Sequence, residues 1–280
     1  MDNRKKFVQP GADDWREFMY AAAGEGWRVP ATEIELFCGP LAGSAMALRC
    51  GGLFLGLITL VNHGHSAWIG NLIVPEPCRG QGHGQHLLDQ AILLLEQQKT
   101  RSIWLTASES GFPLYLRRGF EIIGQVERWV RPKGAGAGSI PCLEDVEEPN
   151  HRNIALQDAD QEVWGEQRAL LNYLLPKGRL LLCGASVALL QREPGLQILG
   201  PWFGDSSDAA EYRRLLVLAV ETAKTEEELV IDLRTGSLPP QDLQDAGFVL
   251  QGRNRLMARG DVTGIDLNRL VSFASLGSMG

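Results

Sequence analysis

Glycines at 80, 82 and 84 constrain this chain more than any other feature, because of what stands on either side of them. An apolar run, Trp68 to Val74, leads in, and an amphipathic segment, Leu87 to Gln98, leads out. The order strand, glycine loop, helix is one that holds a phosphate group. Glycines put no side chain between backbone amides and a ligand. The helix that follows offers unpaired N–H groups and the positive end of its dipole. Arg79 adds a formal charge at the mouth of the loop.

The spacing then sorts the phosphate ligands. A nucleotide P-loop needs lysine and then Ser or Thr after its last glycine, and here Gln85 and His86 follow Gly84. A dinucleotide fingerprint needs its third glycine one residue later, and no acidic residue stands near position 100 to hold a ribose. What remains is Arg79-Gly80-Gln81-Gly82-His83-Gly84, which matches the R-x-x-G-x-G signature of the GNAT superfamily of N-acyltransferases. Downstream, Leu114-Tyr115-Leu116-Arg117-Arg118-Gly119-Phe120 matches that family's L-Y-x-x-x-G-F motif.

The resemblance covers roughly residues 45–130, and the whole chain resembles bacterial tandem-GNAT proteins with a degenerate second domain. The segment Gly24-Glu25-Gly26-Trp27 and the tail 261–280 are similar to what those proteins carry. It implies an α/β (α+β) fold of two GNAT-like domains, each a mixed, mostly antiparallel sheet flanked by helices. The implied activity is transfer of an acetyl group from acetyl-CoA to a primary amine by direct attack. Backbone N–H groups of the loop Arg79, Gly80, Gln81, Gly82, His83, Gly84 and Gln85 would take the coenzyme's pyrophosphate. Leu72, Ile73 and Val74 would pair with its pantetheine arm as an added strand.

The motif tyrosine, Tyr115, is then the expected general acid for the departing thiolate. A phenol with pKa ~10 is protonated at neutral pH, whereas a free thiol has pKa ~8.5. The base is less determined: Glu25, His63, His65 and a water chain all compete to take the amine's proton. The chain departs from the family pattern at Ser108, where an asparagine is usual, and at Pro113, two residues before the tyrosine. Those departures keep a second reading open, a non-catalytic module that senses acyl-CoA.

Organisation follows a repeat. Gly119-Phe120 recurs as Gly247-Phe248, an offset of 128 residues (247 less 119). At that offset the strand 102–107 overlaps the apolar run Leu229 to Leu233, and the helix 85–98 overlaps Ala209 to Lys224. The expected division is a catalytic domain 1–131, a linker 132–150 and a degenerate domain 151–280 with its tail. The glycine loop maps onto 207–212, which has no glycine and two carboxylates, and Leu243 stands at the place of Tyr115. One active site is therefore expected, with the second half walling the acceptor pocket or forming a dimer surface.

Further expectations concern the first half in detail. Helices are expected at Asp13 to Ala23, Glu33 to Phe37, 85–98 and Leu114 to Arg118, the last closed by Gly119. Strands are expected at Ala45 to Cys50, Leu53 to Val61, Ala67 to Val74, Ser102 to Ala107 and Phe120 to Val130. A net charge of −7 argues against broad attraction to nucleic acid or anionic membrane. No apolar stretch reaches the ~20 residues of a membrane span. Five scattered cysteines without a C-x-x-C pair read as free thiols in a reducing cytosol. His63-x-His65 lacks a third nearby ligand, so no metal is expected. The acceptor, a small molecule or a peptide amine, is not written in the sequence, and a homodimer is compatible with it.

Overall fold

The computed structural model describes residues 4–136, 152–205 and 209–280; the acidic stretch Glu144 to Glu148 and Cys142 lie outside them. The first half runs β1 (Lys5–Val8), α1 (Ala12–Gly24), α2 (Ala31–Cys38), β2 (Ala45–Cys50), β3 (Leu53–Asn62), β4 (Ser66–Ile73), α3 (His83–Gln97), β5 (Ser102–Ala107), α4 (Phe112–Leu116) and β6 (Glu121–Arg131). The second runs α5 (Arg152–Trp164), α6 (Leu170–Leu174), β7 (Gly178–Cys183), β8 (Ser186–Glu193), β9 (Leu196–Phe203), α7 (Ala209–Thr222), β10 (Glu228–Arg234), α8 (Pro240–Asp245), β11 (Val249–Gly260) and β12 (Leu270–Ser272). The repeat is plain in these bounds: shifting α4 and β6 by 128 residues lands them on α8 and β11.

Each expected element of the first half is present; most ends move by one residue, α2 opens at Ala31 rather than Glu33, and α3 and α4 also shift. α3 opens at His83 rather than 85, because Gly82 adopts a left-handed conformation (φ 78°) that only glycine takes cheaply and starts the helix there. α4 spans 112–116 rather than 114–118. Pro113 sits in its first turn, where a missing N–H costs nothing, so the helix begins before the proline.

The sheet is mostly antiparallel, with parallel pairs at β4–β5 and β9–β10. Among the described residues its order is β1-β2-β3-β4-β5-β11-β6-β10-β12-β9-β8-β7. The two halves have exchanged their last long strands. β11, from the second half, lies between β5 and β6, while β6, from the first, pairs with β10. Side chains follow the exchange: Trp129 of β6 is buried in the second half's apolar cluster, and Met257 of β11 in the first's. The halves accordingly share one continuous sheet rather than meeting at the chain segment between them.

A further cluster binds the halves face to face. Trp164 at the end of α5 packs edge-on against Trp104 (ring centroids 5.5 Å apart) and Trp68 (6.4 Å). Glu166, just beyond it, accepts from the backbone N–H of Ser66 (2.7 Å) and from that of His65 (2.5 Å), clamping the start of β4. No helix among the described residues is long and apolar enough to cross a membrane.

Candidate functional site

β4 and β5 pair only over Ser66–Trp68 and Ser102–Trp104 and then diverge. The register of β4 against β3 also slips: Leu57 faces Ile73, but Thr59 faces Gly70. The extra residue is a bulge, and Asn71 within it has a positive φ of 52°. A bulge beside a splayed pair leaves β4 backbone turned towards an open wedge. Leu72 and Ile73 end β4, and Val74 leads from it towards the glycine loop.

The loop follows at the wedge's end. Gly80 and Gly82 both have positive φ, and a Cβ added at either would meet no atom within 4 Å. Their freedom is needed for backbone shape, and the space above them is open. The first turn of α3, through Gly84 and Gln85, then points its unpaired N–H groups out of the loop. Arg79 does not stand free at the mouth. Its Nε donates to the carbonyl of Val74 (3.0 Å), and its guanidinium pairs with Glu25 (2.5 Å). The pair ties the loop to the end of α1. His83 is buried beneath the loop, where burial, with Lys5 nearby, holds its pKa below the ordinary imidazole value.

A cleft of about 340 Å3 adjoins the wedge, lined by Glu25, Trp27, Glu33, Asn71, Tyr115 and Ser278, among others. Tyr115 is 8% exposed, packs edge-on to Phe120, and burial pushes its phenol up to about 12. Its ring passes so close to Gly111 that a Cβ there would lie 3.1 Å from Cε2. Ser108 accepts from the N–H of Gly111 (3.3 Å), so the serine supports the turn that carries the tyrosine. The second half supports it from outside. Arg255 of β11 stacks on Phe112 (4.1 Å) and pairs with Glu109 (2.7 Å).

The remaining candidates for the base separate in space. Glu25 reaches the cleft but is held by Arg79. His63 lies against the tail: its Nε2 donates to the carbonyl of Met279 (3.1 Å), and burial next to Arg168 lowers its pKa to about 3. Such an imidazole stays neutral and committed. His65 contributes its backbone N–H to Glu166. Reading the sequence passed over Glu33, which is 3% exposed at the cleft and accepts from the Asn71 side chain (2.6 Å). Burial raises its pKa above the usual carboxylate range, with the nearby Glu193 adding to the rise, while Asn71, Ser278 and Arg128 oppose it. Its only sequence signal was a charge on the apolar side of a short helix. No group of three or more His, Cys, Asp or Glu side chains suited to a metal occurs among the described residues.

The second half has the same framework but not the same opening. β9 and β10 pair over Leu196–Ile198 and Glu228–Val230. Beyond that point, where β4 and β5 diverge in the first half, β12 sits between them, with Ser272 facing both Trp202 and Leu233. Gly200 permits this: a Cβ there would lie 1.9 Å from the carbonyl oxygen of Phe273. Leu243, at the place of Tyr115, is fully buried.

Comparison with known proteins bears on these features. Residues 44–122 match the family model for the acetyltransferase (GNAT) domain. No curated protein matches the chain. Among solved structures, a proposed acetyltransferase of Pyrococcus horikoshii is similar over 97% of this chain and 94% of its own (TM-score 0.79, 17% identity). A GCN5-related N-acetyltransferase of Sphaerobacter thermophilus is similar over 95% and 99% (TM-score 0.69, 17% identity). A tandem GNAT protein from the clavulanic acid biosynthesis pathway is similar over 92% and 98% (TM-score 0.61, 15% identity).

Proposed function

We propose that the chain is an acetyl-CoA-dependent N-acetyltransferase acting on a primary amine, since residues 44–122 match the GNAT-domain model and the fold is similar to tandem GNAT structures over nearly its whole length. One observation carries the reading. The open wedge beside the β4 bulge ends at a glycine loop with clear space above it, and Tyr115 stands in the adjoining cleft. That cradle fits a phosphorylated carrier with an extended arm. Backbone N–H groups from Gln81 to Gln85 hold the pyrophosphate, helped by the dipole of α3. The strand end Leu72–Val74 pairs with the arm, and a backbone N–H near Leu72 faces the acyl oxygen. Arg79 serves by fixing the loop through Val74 and Glu25 rather than as a free charge.

Acetyl-CoA supplies the activated acyl carbonyl and a thiol leaving group. The chain supplies orientation and protons. Tyr115, with its phenol at about 12, stays protonated throughout the neutral range and donates towards the departing sulfur. The second half is assigned no chemistry of its own, since β12 fills its wedge and Leu243 replaces the tyrosine. Among the described residues Cys38, Cys50, Cys78 and Cys183 form no disulfide, which suits a reducing cytosol.

Calorimetry with acetyl-CoA, followed by thiol release in the presence of an amine, tests this reading. The wild-type chain should bind one acetyl-CoA, and Tyr115→Phe should bind it equally while losing roughly 10²-fold in rate. No binding would refute the reading. Binding without release from any of a broad panel of amines would favour an acyl-CoA sensor.

A further inference from the structure

We infer that Glu33 receives the acceptor amine, pairing with it as an ammonium ion and taking its proton, and that the acceptor is a polar primary amine. This deepens the acyltransferase reading and rests on it.

The cleft's charges point to Glu33 by their partners. Glu25 is neutralised by Arg79, Arg28 by Glu228 (2.9 Å) and Arg253 by Glu127 (2.9 Å). Arg128 is held through two nitrogens by Asp232 (2.7 and 2.6 Å) and by the carbonyl of Leu276 (2.9 Å). Glu33 has no cation within ion-pair distance among the described residues. Its partner is the neutral amide of Asn71. A buried carboxylate without a cation is costly, and an arriving ammonium supplies what is missing.

Placement agrees with charge. Asn71 holds the carboxyl, and Asn71 is itself the bulge residue of β4, beside the wedge. The carboxyl is thus indexed to the strand expected to carry the acyl group. Its helix, α2, is pinned by the second half, since Glu193 of β8 accepts from the N–H of Thr32 (3.0 Å). Around it stand Glu193 from β8, Arg128 from β6 with Asp232 from β10, Asn71 from β4 and Ser278 from the tail. The lining adds Thr106, Ser108 and further amides and hydroxyls, so the amine it suits is a polar one.

The proton count closes. The ammonium gives one proton to the Glu33 carboxylate and becomes a nucleophile. Its nitrogen forms the C–N bond as the C–S bond breaks, and sulfur leaves with the Tyr115 proton. The second N–H proton returns to the Tyr115 oxygen, and Glu33 releases its own to solvent. A carboxyl with a raised pKa is the stronger base for this task.

The test compares ethanolamine, an ammonium ion at neutral pH, with methoxyamine, which is neutral there. Glu33→Gln should bind acetyl-CoA as the wild type does. It should lose about 10²-fold in transfer to ethanolamine and no more than about threefold to methoxyamine, once uncatalysed rates are subtracted. A merely structural Glu33 would lower both rates together, and equal losses overturn the inference. So does a wild-type chain that binds acetyl-CoA but acetylates neither amine. A readout without turnover is the infrared band of a protonated carboxyl. It should titrate in the wild type above the ordinary carboxylate range and be missing from Glu33→Gln; a midpoint at the ordinary value overturns the inference. Failure of acetyl-CoA to bind the wild type refutes the acyltransferase reading instead, and is seen separately by calorimetry.

Discussion

Replacing Gly70 by alanine should separate the tail from the cleft while leaving the coenzyme cradle intact. Gly70 lies on β4 just before the bulge, and the tail crosses it closely. A Cβ at Gly70 would lie 2.5 Å from both Cα and O of Ser278 and 2.9 Å from its carbonyl carbon, whereas ordinary contact begins at 3.4 Å. The obstacle is backbone on both sides, so no side chain can swing away. The tail must retreat by about 1 Å, the difference between contact and clash.

That retreat strains two hydrogen bonds, Trp68 Nε1 to the carbonyl of Gly277 (3.0 Å) and His63 Nε2 to that of Met279 (3.1 Å). Each is worth about 1 kcal/mol, and leaving the buried indole N–H unpaired adds about 1–3 kcal/mol. Overpacking alone costs about 1–3 kcal/mol. A loss of about 3 kcal/mol is expected, or a fall in Tm of about 6–12 °C at the usual 2–4 °C per kcal/mol for chains of this size. Acetyl-CoA affinity should hold, and hydrogen exchange should quicken at 275–279. Gly124→Ala is the control, because a Cβ there meets nothing within 4 Å. If Gly70→Ala melts within about 1 °C of that control, the close approach of the tail is not a structural constraint and the argument fails.

Two further perturbations probe the loop and the buried carboxyl. Gly82→Ala places a Cβ at φ 78° in open space, so it should cost only about 1–2 kcal/mol of stability, read by thermal melting; acetyl-CoA affinity should fall further, since the new methyl stands in the cradle. Glu33→Gln should be more stable than the wild type at about pH 8, with the gap closing towards pH 4.5. The sign follows from a folded-state pKa above the ordinary glutamate value: the protonated form's stability is present below the unfolded pKa and lost as pH rises through the folded one. Melting curves across that range check it, and a variant less stable at every pH would contradict it.

The cradle was legible because its parts are local. A glycine loop between a strand and a helix needs no long-range partner, and positive φ at Gly80 and Gly82 is what those glycines provide. Tyr115 was legible through a short motif on one turn. Glu33 was not, because its role depends on burial against Asn71 and on Glu193, 160 residues away in the chain (193 less 33). Glu25 looked better from the sequence, since nothing local reveals that Arg79 neutralises it.

The strand exchange was hidden for a related reason. Alternation tells a strand which face to bury but not which neighbour to pair with. β6 and β11 stand at corresponding places 128 residues apart, and either could have closed either half. Their exchange has a consequence for the cleft that the repeat by itself does not suggest. β11 brings Arg255 against the turn of Tyr115 and lays Gln251 to Asn254 along the cleft. β6, paired with β10, sets Arg128 against Asp232 beneath Glu33. β12, by filling the second wedge, directs the tail onward to Ser278 at the first. The half without an opening therefore lines part of the cleft beside the half that has one. The filled wedge of the second half and that half's share of the cleft lining follow from the same strand order.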